Sequence, residues 1–294
     1  MRIVLFGYGE MGCTGLEFLR SQGEEVAAVI THRDDPHEKR WYRSLAEVAA
    51  ATSVPVVYGD EVDLRSTVAA LRPELILSFY YRSMIPMAVL RQAPKGALNL
   101  HGSKLPRLRG RAPINWALVE CEDEIGVTLH HMVKAPDAGD IVAQRAWTIG
   151  SRDTAKDLFF RAVDEAKILL DDVWPRIRAG RAPRIPQDES KATYRGRRRP
   201  DDGKIDWTQS SRRIDGLVRA VTDPFPGAFT FLGGRRLMVW EGVPAPGRGK
   251  PGTVIEDSLV ATGDGAYRIE RCEFPDHRSE RPVLHQGMKL GDSE

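Results

Sequence analysis

Three polar side chains of this chain have the types and the spacing that acyl transfer needs. Asn99 and His101 stand two positions apart in the stretch NLHGS, and Asp137 follows 36 residues after the histidine. Because alternate residues of an extended segment lie on one face, the amide and the imidazole would point the same way. An amide can donate to an oxygen that gains negative charge, while an imidazole and a carboxylate can move a proton. This combination predicts acyl transfer to an amine.

Each of these residues has a simpler interpretation when it is taken alone. A single histidine, among the seven of this chain, is more often a buried side chain that is merely hydrogen-bonded. Aspartate near glycine is common in tight turns, so Asp137 could serve only to shape a loop with Gly139. The joint presence of amide, imidazole and carboxylate favours catalysis. The adjacent His130 and His131 would face opposite sides of a strand, and we expect both to be structural.

Size and composition limit the classes of protein to consider. With 294 residues, 41% of them hydrophobic and 29% charged, the chain is long enough for one large and one smaller domain. No apolar run approaches the roughly 20 residues of a membrane helix, and the opening stretch MRIVLFG indicates a strand rather than a signal peptide. A net charge of +2 argues against a dedicated nucleic-acid binder. Cys13, Cys121 and Cys272 form neither a zinc nor a disulfide spacing, so we expect a cytoplasmic protein without a metal.

The first part of the chain alternates short apolar runs with helical patterns. Strands are predicted at 2–7, 26–31, 54–58, 75–80, 97–101, 127–133 and 141–149, and helices at 11–21, 41–51, 62–71 and 153–178. Apolar runs separated by helices are typical of a parallel sheet covered by helices. Ligands of such sheets bind beyond the carboxyl ends of the strands, which is where His101 stands.

The composition changes near residue 180, where proline, glycine and charged residues become frequent. Beyond this point a helix is predicted at 213–221, and short strands at 228–232, 235–239, 252–256 and 266–271. Short strands punctuated by glycine are typical of a small barrel or sandwich. We therefore predict an α/β fold, with a mostly parallel sheet domain at 1–185, a linker at 186–203 and a small β domain at 204–294.

The stretch GYGEMG at 7–12 matches the dinucleotide-binding pattern G-x-G-x-x-G, between a predicted strand and a predicted helix. The acidic residue that should close the second strand is missing there, since Asp34 and Asp35 come slightly late. A tight strand-to-helix turn explains the glycines equally well. An NAD-linked dehydrogenase is therefore an alternative function.

The stretches NLHGSKLPRLRG at 99–110 and VTLHHMVKAPDAGDIVA at 127–143 resemble the formyltetrahydrofolate-dependent formyltransferase family. Its signature is Asn-x-His followed by Ser-Leu-Leu-Pro-x-x-x-Gly. The likeness covers nearly the whole chain, and includes FYYR at 79–82, GRAP at 110–113 and DPFPGAF at 223–229. Within the family, FYYR, GRAPINW, GVTLH and MVKAPDAGDIVAQ are most similar to the formyltransferase portion of bifunctional polymyxin-resistance enzymes, which act on UDP-4-amino-4-deoxy-L-arabinose.

The resemblance implies a fold and a set of site residues. The expected fold is a Rossmann-like domain that holds N10-formyltetrahydrofolate, followed by a barrel-like, OB-like domain. Asn99, His101 and Asp137 are the expected catalytic residues. The expected folate contacts are Tyr80, Tyr81, Arg82, Met84, Ile85 and Asp140. The glycine motif is expected to bind no dinucleotide.

Two cations near the signature are candidate substrate contacts. Lys104 stands where the family usually has leucine, and it could meet a substrate phosphate or the folate glutamate tail, or point to solvent. Arg111 could hold a phosphate or carboxylate in a bidentate manner, or lie on the surface.

The expected function is the transfer of a formyl group from N10-formyltetrahydrofolate to the amine of a nucleotide-linked sugar, as in lipid A modification. Asn99 and a protonated or hydrogen-bond-donating His101 would bind the oxyanion, and either His101 or Asp137 would be the general base. The partners would be small molecules, and the sequence leaves the oligomeric state open. Alternatives are a methionyl-tRNA formyltransferase, disfavoured by the short, mixed-charge segment 33–40, a formyltetrahydrofolate hydrolase, and a binding module without activity.

Overall fold

The computed structural model describes residues 1–36, 40–276 and 282–291. The chain divides into two compact units. Unit 1 comprises 1–110, 125–147 and 160–195, and unit 2 comprises 111–124, 148–159 and the chain from 196 onward. Residues 37–39 of the segment 33–40, together with 277–281 and 292–294 of the predicted C-terminal domain, lie outside the described residues.

Helices and short strands alternate along the first part of the chain. The first nine strands are β1 (Arg2–Gly7), β2 (Glu25–Thr31), β3 (Val56–Tyr58), β4 (Leu75–Phe79), β5 (Ala97–His101), β6 (Arg109–Gly110), β7 (Glu124–His131), β8 (Ile141–Thr148) and β9 (Tyr194–Arg195). The helices are α1 (Gly9–Ser21), α2 (Leu45–Ala51), α3 (Leu64–Leu71), α4 (Met87–Leu90), α5 (Pro113–Val119), α6 (Ala155–Arg178) and α7 (Ser211–Val221).

Unit 1 is built on a seven-stranded sheet in the order β3-β2-β1-β4-β5-β7-β8. Strands β1 to β5 pair in parallel, and β7 pairs antiparallel to β5. Both faces of β1 and β4 are buried, which explains why these strands are continuous apolar runs rather than alternating patterns. The α/β, Rossmann-like class predicted from the sequence is thereby confirmed.

The carboxyl ends of the central strands meet at one edge of this sheet. Gly7 at the end of β1 pairs with Phe79 at the end of β4, and Phe79 pairs with Leu100, one residue before the end of β5. In the β5–β7 pair, Asn99 lies opposite His130. The loops that follow these strands, including the one after His101, therefore start from the same edge, where ligands of open α/β sheets bind.

Unit 2 contains a six-stranded antiparallel sheet. Its strands are β10 (Ala228–Leu232), β11 (Arg235–Ala245), β12 (Val254–Glu256), β13 (Leu259–Ala261), β14 (Ala266–Glu273) and β15 (Leu290–Gly291), in the order β12-β13-β14-β11-β10-β15. A bridge between Thr253 and Lys289 joins the residues beside the two edge strands, so the sheet curls upon itself. The predicted small barrel-like β domain is confirmed.

The segment predicted to be a linker has defined structure. In unit 1, residues 189–191 form a 3₁₀ turn, and β9 pairs in parallel with β6. Residues 196–203 belong to unit 2, where Pro200–Gly203 forms a second 3₁₀ turn. The boundaries 1–185 and 204–294 stay a proposal. Among the described residues, no helix combines the length and apolar character that crossing a bilayer requires.

Candidate active site

The structure brings Asn99, His101 and Asp137 together beside the end of β5. The Nδ2 atom of Asn99 lies 3.4 Å from Oδ1 of Asp137, and Nδ1 of His101 lies 3.6 Å from the same oxygen. His101 is 6% exposed, whereas the Asp137 side chain is 13% exposed and Asn99 is half-buried. The cluster is therefore largely buried, with Asn99 and Asp137 partly open to solvent.

His130 is a fourth member of this cluster, and the sequence analysis missed it. Its Nε2 atom lies 3.3 Å from Oδ1 of Asp137 and 3.1 Å from Nδ2 of Asn99. The neighbouring His131 lies on the other face of the strand, where its Nε2 atom is 2.9 Å from the carbonyl oxygen of Pro183. The prediction that the two histidines face opposite sides is therefore confirmed. The expectation that His130 is structural stays a prediction, but its ring contacts two of the predicted catalytic residues.

Backbone carbonyls fix the proton positions on both rings. Nε2 of His101 lies 2.8 Å from the carbonyl oxygen of Leu108, and Nδ1 of His130 lies 3.0 Å from that of His131. A carbonyl can only accept, so these two ring nitrogens carry the hydrogen. In the neutral rings, the lone pairs are then on Nδ1 of His101 and Nε2 of His130, and both face Asp137. Asn99 donates to the lone pair of His130.

The Asp137 loop is held from several sides. Its Oδ2 atom accepts a hydrogen bond of 2.8 Å from the backbone N–H of Gly110. Its backbone has a φ of 54°, a left-handed conformation that is uncommon outside glycine. Gly139, two residues later, packs so closely that a Cβ atom there would stand 1.8 Å from the carbonyl oxygen of His131. The glycine of the DAGD stretch is therefore required by the close approach of two backbones.

The electrostatics of the cluster separate the two candidate bases. Burial would raise the pKa of Asp137, but the attraction of the His101 and His130 rings in their protonated form, together with the Gly110 N–H, outweighs it and lowers the pKa to about 2. Burial lowers the pKa of His101 below its usual value, against the opposing effect of the Asp137 charge. At neutral pH the carboxylate is therefore ionised, and the His101 ring is neutral.

The residues predicted to contact folate follow β4 at the same edge of the sheet. Tyr80 has a φ of 60°, and its burial raises the pKa of its hydroxyl. The Tyr81 ring stacks on His32 with centroids 4.3 Å apart, and Arg82 lies over the Tyr8 ring at 3.9 Å. This segment places the aromatic side chains of Tyr80 and Tyr81 after β4, the strand that pairs with β5.

The other predicted binding residues differ in their surroundings. Met84 is 65% exposed, whereas the Ile85 side chain lies in the hydrophobic core of unit 1, so that only its backbone could meet a ligand. The Asp140 carboxylate lies 3.5 Å from Arg184, on the surface. Lys104 is half-buried in unit 1, and Arg111 is exposed in unit 2.

The glycine motif at 7–12 is filled by the protein's own side chains. A Cβ atom at Gly9 would meet the ring of Tyr42 at 2.9 Å, and one at Gly12 would meet Leu45 at 2.7 Å. Glu10 places a carboxylate in the first turn of α1, where it pairs with Arg43 at 2.6 Å. Because Tyr42 and Leu45 occupy the space beside these glycines, the structure favours the interpretation that the motif serves the strand-to-helix turn.

Over residues 1–36, 40–276 and 282–291, no group of three or more histidine, cysteine, aspartate or glutamate side chains has an arrangement that could hold a metal ion. Cys13 is buried, and burial raises the pKa of its thiol to about 12, as expected for an inert core cysteine.

Solved structures share the fold of this chain at low sequence identity. An N-formyltransferase from Helicobacter canadensis, in complex with folinic acid and dTDP-3-aminofucose, has a TM-score of 0.71 at 19% identity, over 92% of this chain and 99% of its own. WlaRD, a sugar 3N-formyl transferase in the presence of dTDP and 5-N-formyl-THF, has 0.68 at 18%, over 91% and 96%. A methionyl-tRNA formyltransferase from Clostridium thermocellum has 0.60 at 19%, over 83% and 94%.

Two family matches cover most of the sequence. Residues 1–173 match the formyl transferase family, and residues 198–282 match the C-terminal domain of formyl transferases. The first region contains the four clustered side chains, and the second contains most of the curled antiparallel sheet. Since the first match alone takes in more than half of the sequence, the chain belongs to the formyl transferase family.

Proposed function

We propose that this protein transfers the formyl group of N10-formyltetrahydrofolate to the amine of a nucleotide-linked amino sugar. The observation that supports this most directly is the convergence of Asn99, His101 and Asp137 within 3.6 Å, in a chain of the formyl transferase family. Two of the similar structures hold a folate compound together with dTDP or a dTDP-amino sugar, which favours a sugar acceptor.

The reaction exchanges one carbon–nitrogen bond for another. The acceptor amine attacks the formyl carbon, the carbonyl π electrons move onto the oxygen, and a tetrahedral intermediate forms. Its collapse breaks the bond from the formyl carbon to N10 of the folate. The amine loses one proton and N10 gains one, so the products are the formamide and tetrahydrofolate. A catalyst must therefore stabilise an oxyanion and carry one proton.

Asn99 is suited to bind the oxyanion. One N–H of its amide donates to Nε2 of His130 at 3.1 Å, which fixes the side chain. The same nitrogen lies 3.4 Å from Oδ1 of Asp137, which is the outer limit of a hydrogen bond. Its second N–H could therefore donate to a closer substrate oxygen at small cost. A donor of this kind contributes about 2.7–4 kcal/mol to transition-state binding in known oxyanion holes.

His101 is the better general base of the two candidates. The pKa of Asp137 is about 2, which makes its carboxylate a weak proton acceptor at neutral pH. The His101 ring is neutral there, and its Nδ1 lone pair faces the Asp137 carboxylate. When Nδ1 takes the amine proton, the imidazolium gains the attraction of a negative oxygen 3.6 Å away. Asp137 therefore stabilises the protonated base.

For the folate we keep the residues predicted from the sequence. The contacts would come from Tyr80, Tyr81, Arg82, Met84, the backbone of Ile85, and Asp140. A pterin ring is flat and apolar on its faces, which suits the aromatic side chains after β4. Lys104 and Arg111 stay proposed contacts for the phosphates or carboxylates of the two substrates.

As acceptor we propose UDP-4-amino-4-deoxy-L-arabinose, which would assign the reaction to lipid A modification in the cytoplasm. The support for this choice is the likeness of FYYR, GRAPINW, GVTLH and MVKAPDAGDIVAQ to bifunctional polymyxin-resistance enzymes. The dTDP-3-amino sugar of the Helicobacter canadensis structure is the alternative acceptor of the same class.

The experiment is an acceptor panel. The protein is incubated with N10-formyltetrahydrofolate and, separately, UDP-4-amino-4-deoxy-L-arabinose, dTDP-3-amino and dTDP-4-amino sugars, methionyl-tRNA and buffer alone. Mass spectrometry should show the UDP-aminopentose gaining one formyl group. Formylation of a dTDP-amino sugar would change the named acceptor, formylation of methionyl-tRNA alone would refute a sugar substrate, and formate release without acceptor would indicate a hydrolase.

A further inference from the structure

The segment Gln187–Arg195 lies between the two regions that match the family, which end at residue 173 and begin at residue 198. Its proline-rich, charged surroundings predicted a linker. In the structure it packs within unit 1. Its hydrogen bonds go to the loop that carries Asp137 and to the segment 106–110 that follows His101.

Gln187 holds the Asp137 loop by its backbone. The Nε2 atom of Gln187 donates to the carbonyl oxygen of Asp137 at 2.8 Å and to that of Gly139 at 2.7 Å. Both hydrogens of the amide are thus used on one short stretch of chain. This stretch includes the left-handed backbone of Asp137, a conformation that persists only where the surroundings fix it.

Thr193 holds the segment that orients His101. Its Oγ1 accepts from the backbone N–H of Leu108 at 2.8 Å, and its carbonyl accepts from the N–H of Arg109 at 2.8 Å. The Leu108 carbonyl in turn accepts from Nε2 of His101 and sets the tautomer of that ring. Thr193 is therefore one peptide removed from the proposed general base.

Arg109 joins these two anchors into one unit. It is fully buried, and all five of its guanidinium hydrogens have acceptors. They go to Oε1 of Gln187 at 2.7 and 3.2 Å, to the Glu189 carboxylate at 2.6 and 2.9 Å, and to the Tyr194 hydroxyl at 2.8 Å. A buried cation is stable only when paired and hydrogen-bonded, so Arg109 ties the segment to β6.

We propose that the segment Gln187–Arg195 positions the catalytic pair, with Gln187 fixing Asp137 and Thr193 fixing His101 through the Leu108 carbonyl. None of these side chains needs to touch the substrates, so they are positioning residues for the reaction. The expected effect on the reaction rate rests on the proposed function. The expected effect on the distance between the His101 imidazole and the Asp137 carboxylate does not.

The test uses two neutral substitutions and two matched controls. Gln187→Met removes the two donors to the loop and also the acceptor of two Arg109 hydrogens, whereas Thr193→Val removes one hydroxyl and leaves Arg109 paired. Gln92→Met is the first control, because Gln92 also donates to two backbone carbonyls, those of Arg65 and Ala88, at 3.0 and 3.3 Å. Thr262→Val is the second, because Thr262 also accepts from a backbone N–H, at 3.1 Å.

For each protein, formyl-transfer kinetics, the NMR titration of the His101 ring and thermal unfolding are measured. We expect kcat to fall about 10- to 100-fold in Gln187→Met and by a smaller factor in Thr193→Val, with KM for the formyl donor unchanged. In Gln187→Met the pKa of His101 should fall, because the carboxylate that supports its protonated form moves away. Both controls should keep the wild-type kcat and the wild-type pKa of His101.

The proposal is overturned if folded Gln187→Met and Thr193→Val keep the wild-type kcat and His101 titration, or change only as the controls do. Should Gln187→Met fail to fold, the milder Thr193→Val decides. The ring titration needs no substrate, so it still tests positioning if the wild type transfers no formyl group. A wild type that transfers no formyl group would refute the proposed function. The His101 titration alone would then decide whether the segment Gln187–Arg195 positions the imidazole and the carboxylate.

Discussion

The Oδ1 atom of Asp137 is the centre of the proposed site, because one amide and two imidazoles lie within 3.6 Å of it. A carboxylate so surrounded is kept ionised, and its pKa of about 2 makes it a weak base. Its contribution is to stabilise a neighbouring proton rather than to remove one. This difference in basicity supports the proposed roles, which the sequence left open, with His101 as the general base and Asp137 as the group that stabilises its protonated form.

The low pKa of Asp137 predicts a measurable loss of stability in acid. The folded-state value of about 2 lies below the ordinary 3.8, so the ionised carboxylate stabilises the fold fully above about pH 4. As the pH falls toward about 2, the unfolded chain takes up the proton first, and this stability is lost. An NMR titration of the Asp137 carboxyl should show it ionised down to about pH 3, which corresponds to about 1 kcal/mol of stability from this group that is lost as the pH falls toward about 2. A carboxyl that titrates near its ordinary value of 3.8 would contradict the assignment.

His101 should control the acid limb of the rate profile. Its pKa lies below 6.5, and only the neutral ring can accept the amine proton, so below that pKa kcat/KM should fall by about a further tenfold per pH unit, beyond the loss from protonation of the acceptor amine that both proteins share. In His101→Gln the rate should be about 10²- to 10⁴-fold lower and lack this limb. Rates measured from about pH 5 to 8.5 test both points. A wild-type limb that persists in the variant would assign the base to another group.

At the scale of residues the sequence predicted three members of the clustered side chains but not the fourth. The grouping of Asn99, His101 and Asp137, whose catalytic role is proposed, was predicted from their chemistry, their spacing and a family resemblance. His130 was missed because the choice between His130 and His131 depends on the register of β7 against β5, which places Asn99 opposite His130. A one-residue slip would have presented His131 instead, and nothing in a single sequence fixes the register of distant strands.

The loop between β7 and β8 carries Asp137, so the geometry of the proposed site depends on its conformation. Gly139→Ala would place a methyl group 1.8 Å from the His131 carbonyl, so the two backbones must separate. We expect a loss of about 1–3 kcal/mol in unfolding free energy, together with a lower kcat because Asp137 moves. Gly196→Ala is the control, because a Cβ atom there meets nothing within 4 Å. Chemical unfolding and single-turnover rates would check this, and a stable, active Gly139→Ala would show the packing to be wrong.

The long, strongly patterned elements were predicted well. The apolar runs gave β1 and β5 with their observed bounds, and α6 begins two residues after its predicted start. The reason is physical, because burial on both faces of a central strand and along one stripe of a helix leaves a pattern in the local sequence.

Elements that depend on distant partners were not predicted. β6 and β9 are two residues each and exist because they pair with each other across 85 positions of chain. Likewise, the prolines and charges around Gln187 read locally as a linker, while its hydrogen bonds reach back to Asp137 and Arg109. Such contacts leave no periodicity in the segment itself, so a single sequence cannot reveal them.

At the scale of the whole molecule, the charge balance bears on the choice of acceptor. With 43 basic and 41 acidic residues, the chain has a net charge of +2. Binding of tRNA depends on many phosphate contacts from clustered cations, and such binding weakens steeply with salt. We expect filter binding at about 150 mM salt to retain no methionyl-tRNA on the protein. Tight, salt-sensitive retention would instead favour the tRNA enzyme that shares this fold.

The most direct measurement of the central claim is a single-turnover transfer from N10-formyltetrahydrofolate to UDP-4-amino-4-deoxy-L-arabinose, following both products. The wild type should form tetrahydrofolate and formylated sugar in equal amounts. A variant with Asn99→Ala, His101→Ala and Asp137→Ala should be slower by at least about 10⁴-fold while folded. Transfer by this variant at the wild-type rate, or no transfer by the wild type to any amino-sugar nucleotide, would contradict the account.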